Sequence, residues 1–214
     1  MKLKYKKLVI LITVATLALS FLILTLIPTG GSNHDNAEDA ELALNENEDI
    51  NQLIKSYFDA KKIVDVEAMS GLVSDTNRID RDKFIKMAGY VEDYQNINCY
   101  VIEGEDNSAF RVYVKYDMKL RNIATLAPCL SAFYITMTSD DKYVIYLSAL
   151  DEAQEDFIIS ADKNTEIVKL KEQVAKELQD AINKDAAFKQ FYQQMDQEIQ
   201  AASVSGAAGQ PELQ

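Results

Sequence analysis

The side chains that most often carry chemistry are few in this chain of 214 residues, which has one histidine, His34, and two cysteines, Cys99 and Cys129. A single imidazole cannot build a multi-histidine metal site, and His34 lies in a polar stretch with no positioned partner for acid–base work. The sequence contains no glycine-rich phosphate loop and no nucleophile elbow. It therefore predicts no catalytic residue, no metal site and no cofactor.

The charge balance bears on the partner class. The chain has 22 basic and 34 acidic side chains, a net charge of −12. Binding to nucleic acid needs a basic surface that neutralises phosphates. We therefore expect no nucleic-acid partner.

The two cysteines are predicted to stay unbonded. Cys99 falls in the first of several predicted strands and Cys129 at the entry to the third. If the strands pair in chain order, one strand separates the two residues and their Cα atoms lie roughly 10 Å apart, beyond the limit of about 7 Å for a disulfide. Cys99 shares parity with apolar neighbours and is expected to be buried, whereas Cys129, which follows Pro128, is expected to be more exposed.

The N-terminal segment predicts a membrane anchor. Residues 1–7 contain four lysines, and residues 8–27 form an uncharged, largely apolar run of 20 residues. A helix of that length spans roughly 30 Å, the thickness of the bilayer hydrocarbon core. The alternative is a cleaved signal peptide, but the run is long for one, and Thr29 and Gly31 make a poor cleavage site.

The orientation of this anchor follows from the positive charges. Because the lysines precede the span and no lysine or arginine occurs between Pro28 and Ile54, residues 1–7 are expected to be cytoplasmic. The remainder is expected to be extracytoplasmic and attached to the cell membrane through the N-terminal helix.

Three regions are predicted after the span. Residues 28–48 are acidic and poor in large apolar side chains, as is typical of a disordered tether. Residues 49–202 form the folded domain, and residues 203–214 are small and polar and form a frayed tail.

The folded region begins with helical periodicity. Asp49, Asp65 and Asp80 are candidate N-caps for three successive helices. The first helix has an apolar stripe at helical spacing: Ile50, Leu53, Ile54, Tyr57 and Phe58.

The periodicity then changes to two and predicts a four-stranded meander. In the clearest strand, odd-numbered polar positions such as Arg111 and Lys115 alternate with apolar ones, which favours an antiparallel sheet with one buried and one solvated face. The apolar face is Phe110, Val112, Val114, Tyr116, Met118 and Leu120.

A C-terminal helix is predicted from Thr165, with a break near Asn183-Lys184-Asp185 and a second apolar stripe after it. A coiled coil is the alternative, but two short stripes in different phases favour packing on the core or the sheet. The predicted fold class is α+β: N-terminal helices packed on a curved four-stranded antiparallel meander, a C-terminal helix and one N-terminal transmembrane helix.

Two stretches carry a resemblance to a known family. INQLIKSYFDAKKIVDVEAMSGLV is similar to the opening helix and following loop of the nuclear-transport-factor-2-like superfamily. VYVKYDMKLRNIATLAPCLSAFYITM resembles the central hairpin of its membrane-anchored extracytoplasmic members in Gram-positive bacteria. The resemblance covers residues 49–150 and implies a cone-shaped fold with a pocket between sheet and helices.

The resemblance also implies where a ligand or substrate would lie. Tyr57, Tyr90, Tyr116 and Met118 are the candidate lining residues, each of which equally suits a core position. Enzymes of this superfamily use a pocket aspartate or histidine, but the face expected to line the pocket has no carboxylate, and Asp117 falls on the opposite face. Three hypotheses remain: a non-catalytic module that binds a protein partner or assembles with itself, a small apolar-ligand pocket, and an enzyme of the isomerase or dehydratase type.

Overall fold

The computed structural model describes residues 44–104 and 108–207, with side chains up to residue 197. The predicted membrane span at residues 8–27, the basic N-terminus and most of the tether lie outside the described residues. In the described part of the chain, no helix is both long and apolar enough to cross a membrane.

The N-terminal half begins with helices α1 (Glu48–Ile63), α2 (Val66–Ser70) and α3 (Arg81–Tyr90), with a 3₁₀ turn at Thr76–Arg78 before α3. Asp65 and Asp80 cap α2 and α3, as the sequence predicts, by accepting hydrogen bonds from the backbone N–H groups of Ala68 and Lys83. The first cap differs from the predicted Asp49. Asn47 caps α1 instead, because its side chain accepts from the N–H groups of both Asp49 and Ile50.

A four-stranded antiparallel sheet follows, with β1 (Val91–Glu103), β2 (Ala109–Leu120), β3 (Ala127–Met137) and β4 (Tyr143–Ile145). The strands lie in the order β1-β2-β3-β4, which confirms the predicted meander. The even-numbered apolar side chains of β2 face the main core against α1, as their period of two predicts.

The opposite face of the sheet is not solvated, so the prediction of one wet face is wrong. Helices α4 (Glu152–Asp162) and α5 (Thr165–Lys184) pack there, and Tyr113 is 0% exposed beneath Ile167, Leu170 and Val174 of α5. The sheet is therefore covered on both faces. This arrangement agrees with the expectation that the C-terminal apolar stripes pack on the sheet or the core.

The C-terminal region holds three helices where the sequence predicts one helix with a break. The sequence signal for α4 is a capping box, in which Asp151 and Gln154 each accept from the other's backbone N–H. The predicted break is real, because Asp185 separates α5 from α6 (Ala186–Ala207) and accepts from the N–H groups of Ala187 and Phe188. Helix α6 extends to Ala207, past the predicted start of the tail at residue 203.

Candidate interaction site

The four candidate lining residues separate into two places. Tyr57, Tyr116 and Met118 are buried in the main core, at 6%, 2% and 2% exposure. Tyr90, at the end of α3, instead packs its ring 5.6 Å from that of Phe191 on α6. The structure therefore places three of the four side chains in one hydrophobic core and the fourth at a separate helix–helix contact.

The space between α1 and the sheet is filled by an aromatic cluster. The Phe58 ring centroid lies 4.7 Å from that of Tyr116, 5.1 Å from that of Tyr94 and 6.1 Å from that of Tyr57. All three pairs are edge-to-face, the arrangement that aromatic quadrupoles favour. Phe133 of β3 adds a fifth ring, 5.5 Å from Tyr57. This cluster occupies the position between sheet and helices where the family resemblance implies a pocket.

A lysine is buried against the same cluster. Lys61, in the last turn of α1, is 6% exposed, and its Nζ lies 4.9 Å from the Tyr94 ring centroid and 5.2 Å from that of Phe58. The ring faces attract the cation. Burial nevertheless lowers the pKa of Lys61 to about 8, because the charged form loses hydration. Sequence reasoning missed this residue, since a lysine in the last turn of a helix ordinarily points to solvent.

An ion cluster lies on the other face of the sheet. Arg111 is 3% exposed and donates from Nε and Nη2 to the carboxylate of Asp162, at 3.2 to 3.3 Å. The Tyr113 hydroxyl donates to the same carboxylate at 2.6 Å, and Lys171 donates to the Asp162 carbonyl oxygen at 3.2 Å. Burial and the neighbouring Asp162 charge raise the pKa of Tyr113. The cluster joins α4 and α5 to β2 and makes no open site.

A cleft lies where β4 leaves β3, and we call it the edge cleft. Its lining includes Lys83 and Phe84 of α3, Ala132 and Phe133 of β3, and Leu147 after β4. It encloses about 90 Å³, well below the roughly 300–1,000 Å³ of small-molecule sites. Two other grooves in the described part of the chain, of about 440 and 520 Å³, are more open to solvent than the edge cleft. Four of the nine residues that line the smaller one are asparagines. Neither groove encloses a ligand-sized space.

Both cysteines are free and buried, and β2 lies between their strands, as the predicted strand order requires. The expectation that Cys129 is more exposed is wrong. It is 2% exposed, because Pro128 and Cys129 already belong to β3 and the Cys129 side chain faces the main core.

We expect native chains to resist a thiol reagent and unfolded, unreduced chains to release two thiols. Burial raises the pKa of Cys99 to about 11 and that of Cys129 to about 12, so that little thiolate forms at neutral pH. The measurement is a colorimetric thiol count in buffer and in denaturant. A count of zero in denaturant would contradict the strand order.

Among the residues that the structure describes, the acidic and sulfur-bearing side chains do not assemble into a metal site. Within the described ranges, no three histidine, cysteine, aspartate or glutamate side chains are grouped closely enough to hold a metal ion. His34 lies outside the described residues.

Comparison with known proteins adds no family: the chain matches no protein-family model, no curated protein and no solved structure. What the fold defines is an α+β domain with a four-stranded antiparallel sheet, covered by helices on both faces. A fold alone does not define a function, so the function of this chain has to follow from the geometry of its own residues.

Proposed function

We propose that this chain is a non-catalytic protein-interaction or assembly module, held at the extracytoplasmic face of the cell membrane by residues 8–27. The observation that carries the proposal is the aromatic cluster around Phe58, which fills the space where a nuclear-transport-factor-2-like domain would hold its ligand. With that space filled, the recognition surface of the domain is its exterior.

The other two hypotheses receive less support. A small apolar ligand needs an enclosed volume several times the 90 Å³ of the edge cleft, and the two larger grooves are more open to solvent. An isomerase or dehydratase needs a base that reaches its substrate. The Asp80 carboxylate in the lining of the edge cleft already accepts from the N–H of Lys83 as the cap of α3.

The test is site-specific photo-crosslinking of the full chain in its native cells. A photoreactive amino acid is placed singly at solvent-accessible positions on different elements, and the products are resolved by gel and mass spectrometry. Exposed apolar positions are the most informative, with Gln190 on α6 as an exposed polar control. Four positions are exposed apolar residues, and the fifth is the half-buried Ser148, which lines the edge cleft. The exposed four are Ile63, Ile85, Ile159 and Val168.

We expect one position, or two neighbouring ones, to give a discrete product with another protein or a second copy, because a docked partner covers only part of a surface. The remaining positions and Gln190 should give none. An absence of discrete products at all five positions would count against the module.

A further inference from the structure

We infer that the edge cleft binds an extended peptide segment of a partner protein, which adds as a strand beside β3 and places one apolar side chain and a neighbouring carboxylate at the cleft. This inference rests on the proposed function and names the class of partner and the surface that it meets.

The backbone of β3 is open to pairing at the cleft. The N–H of Tyr146 donates to the carbonyl of Tyr134 at 2.8 Å. The Tyr134 carbonyl therefore points towards the β4 side of β3 and away from β2. Successive residues of a strand direct their backbone N–H and C=O groups to alternate edges. Ala132 lies two positions before Tyr134, so its N–H and C=O also point away from β2. In the described part of the chain, no strand pairs with β3 there, and Ala132 lines the cleft. An unpaired edge of this kind is a template for an added strand.

Ser74 keeps the chain after β4 from pairing with this part of β3. The Ser74 hydroxyl accepts from the N–H groups of Leu147 and Ser148, at 2.9 and 3.3 Å. Ile145 meanwhile pairs with the segment after α2, because its carbonyl accepts from the N–H of Ser74 at 2.9 Å. These bonds draw the chain after β4 away from β3. The gap is therefore built into the fold.

The size of the cleft fits a peptide side chain. Its enclosed volume of about 90 Å³ suits one branched aliphatic group. Phe84, Phe133 and Leu147 supply apolar lining. In strand addition, main-chain hydrogen bonds supply affinity and such pockets select alternate side chains.

The charges at the cleft favour an acidic partner. Arg78 and Lys83 both line it, in a chain whose net charge is −12. One acid, Asp80, also lines it, and its carboxylate accepts from the backbone N–H of Lys83. Arg78 makes an exposed pair with Asp75 at 3.6 Å, an interaction that water screens. Arg111 also borders the cleft but is committed to Asp162. A carboxylate next to the anchoring side chain would therefore be attracted here, whereas a basic peptide would be disfavoured.

The experiment is a selection of random peptides displayed on phage against the full chain. The most enriched peptide is then synthesised, and its affinity is measured by fluorescence anisotropy for the parent and two proline variants. Ala132→Pro removes the edge-facing N–H of β3. Glu103→Pro is the matched control, because Glu103 is exposed and lies on β1, at the opposite edge of the sheet. The Cys99 carbonyl points away from β2, since it accepts from the N–H of Asn45, and Glu103, four positions later, directs its N–H to the same outer side. Proline is tolerated within a strand where the N–H that it removes faces no partner strand.

We expect enriched peptides to combine an apolar residue with an acidic one and to protect the Ala132 amide from hydrogen exchange. Ala132→Pro should weaken binding at least tenfold with an unchanged unfolding midpoint, and Glu103→Pro should leave it unchanged. Lys83→Glu should also weaken peptide binding. This second variant tests the cleft without changing the backbone of β3.

Equal binding to the parent and Ala132→Pro, protection of β1 instead of β3, or no enriched peptide would overturn the inference. If crosslinks nevertheless form at positions away from the edge cleft, the interaction module stands and only this surface is wrong. If no crosslink forms anywhere while the peptide binds as described, the cleft stands and the proposed role in cells fails.

Discussion

Replacing Asp162 with alanine is expected to lower the free energy of unfolding by about 3 kcal/mol, because it leaves the buried Arg111 without its carboxylate. It also removes the acceptor of the Tyr113 hydroxyl, whose side chain is 0% exposed. The measurement is equilibrium urea denaturation at neutral pH. Asp156→Ala is the matched control, since Asp156 is an exposed acid on the same helix and its loss should change stability by less than about 0.5 kcal/mol.

A double-mutant cycle separates the pair from general damage to α4. In Arg111→Met/Asp162→Ala neither charge remains, so the double variant should be more stable than the sum of the two single losses predicts. Losses that add would show that Asp162 acts without Arg111. A loss for Asp162→Ala as small as that for Asp156→Ala would mean that the cluster contributes little to the attachment of α4.

The position of Asp162 in its helix supports this account. Asp162 is the last residue of α4. A negative charge there is disfavoured by the helix dipole, so the local sequence gives no reason for an acid at this position. Its contacts with Arg111, Tyr113 and Lys171 supply the reason. Lys171 is close to Asp162 in the sequence, whereas Arg111 and Tyr113 are distant.

The same residues show which features a sequence pattern predicts and which it does not. The strands and the inward face of β2 are predictable from the alternation of apolar and polar residues. A strand that buries one face has apolar side chains at every second position. The burial of Arg111 does not follow, because the same alternation marks it as polar and therefore solvated. A carboxylate 51 positions along the chain makes its burial tolerable.

The edge cleft is unpredictable from the sequence for a similar reason. It depends on the Ser74 hydroxyl and on the N–H groups of Leu147 and Ser148, which are separated by more than 70 positions. A serine in a turn is ordinarily a solvated residue, and no pattern distinguishes this one. Tyr57, one of the candidate lining residues, does border the edge cleft. It does so as a member of the main hydrophobic core, not as part of the pocket for which it was a candidate.

Lys61→Met is expected to stabilise the fold at pH 7 by about 1–3 kcal/mol, because the native chain pays to bury a charge that methionine does not carry. The folded pKa of Lys61, about 8, lies below its ordinary value of 10.5. A lowering of that size corresponds to about 3 kcal/mol against the charged form. The attraction of the cation to the Phe58 and Tyr94 rings offsets part of this cost.

The pH dependence identifies Lys61 as the cause. Between pH 8 and 10.5 the unfolded chain binds the lysine proton and the folded chain has released it, so the stability of the parent should rise with pH through this window. Below pH 8 the lysine is charged in both states and the penalty is complete. The advantage of Lys61→Met should therefore be largest at pH 7 and shrink towards pH 10, while the ionisation of the two cysteines and the tyrosines largely cancels in the comparison.

The measurement is the difference in the free energy of unfolding between the parent and Lys61→Met at pH 7, 8, 9 and 10, by urea denaturation. Lys55→Met is the matched control, since Lys55 lies on the solvent face of the same helix and its replacement should give no trend of this kind. A constant difference across the series would assign the effect to packing instead of charge. A destabilised Lys61→Met at pH 7 would mean that the aromatic faces outweigh the lost hydration, which would make the lysine an integral cation of the core.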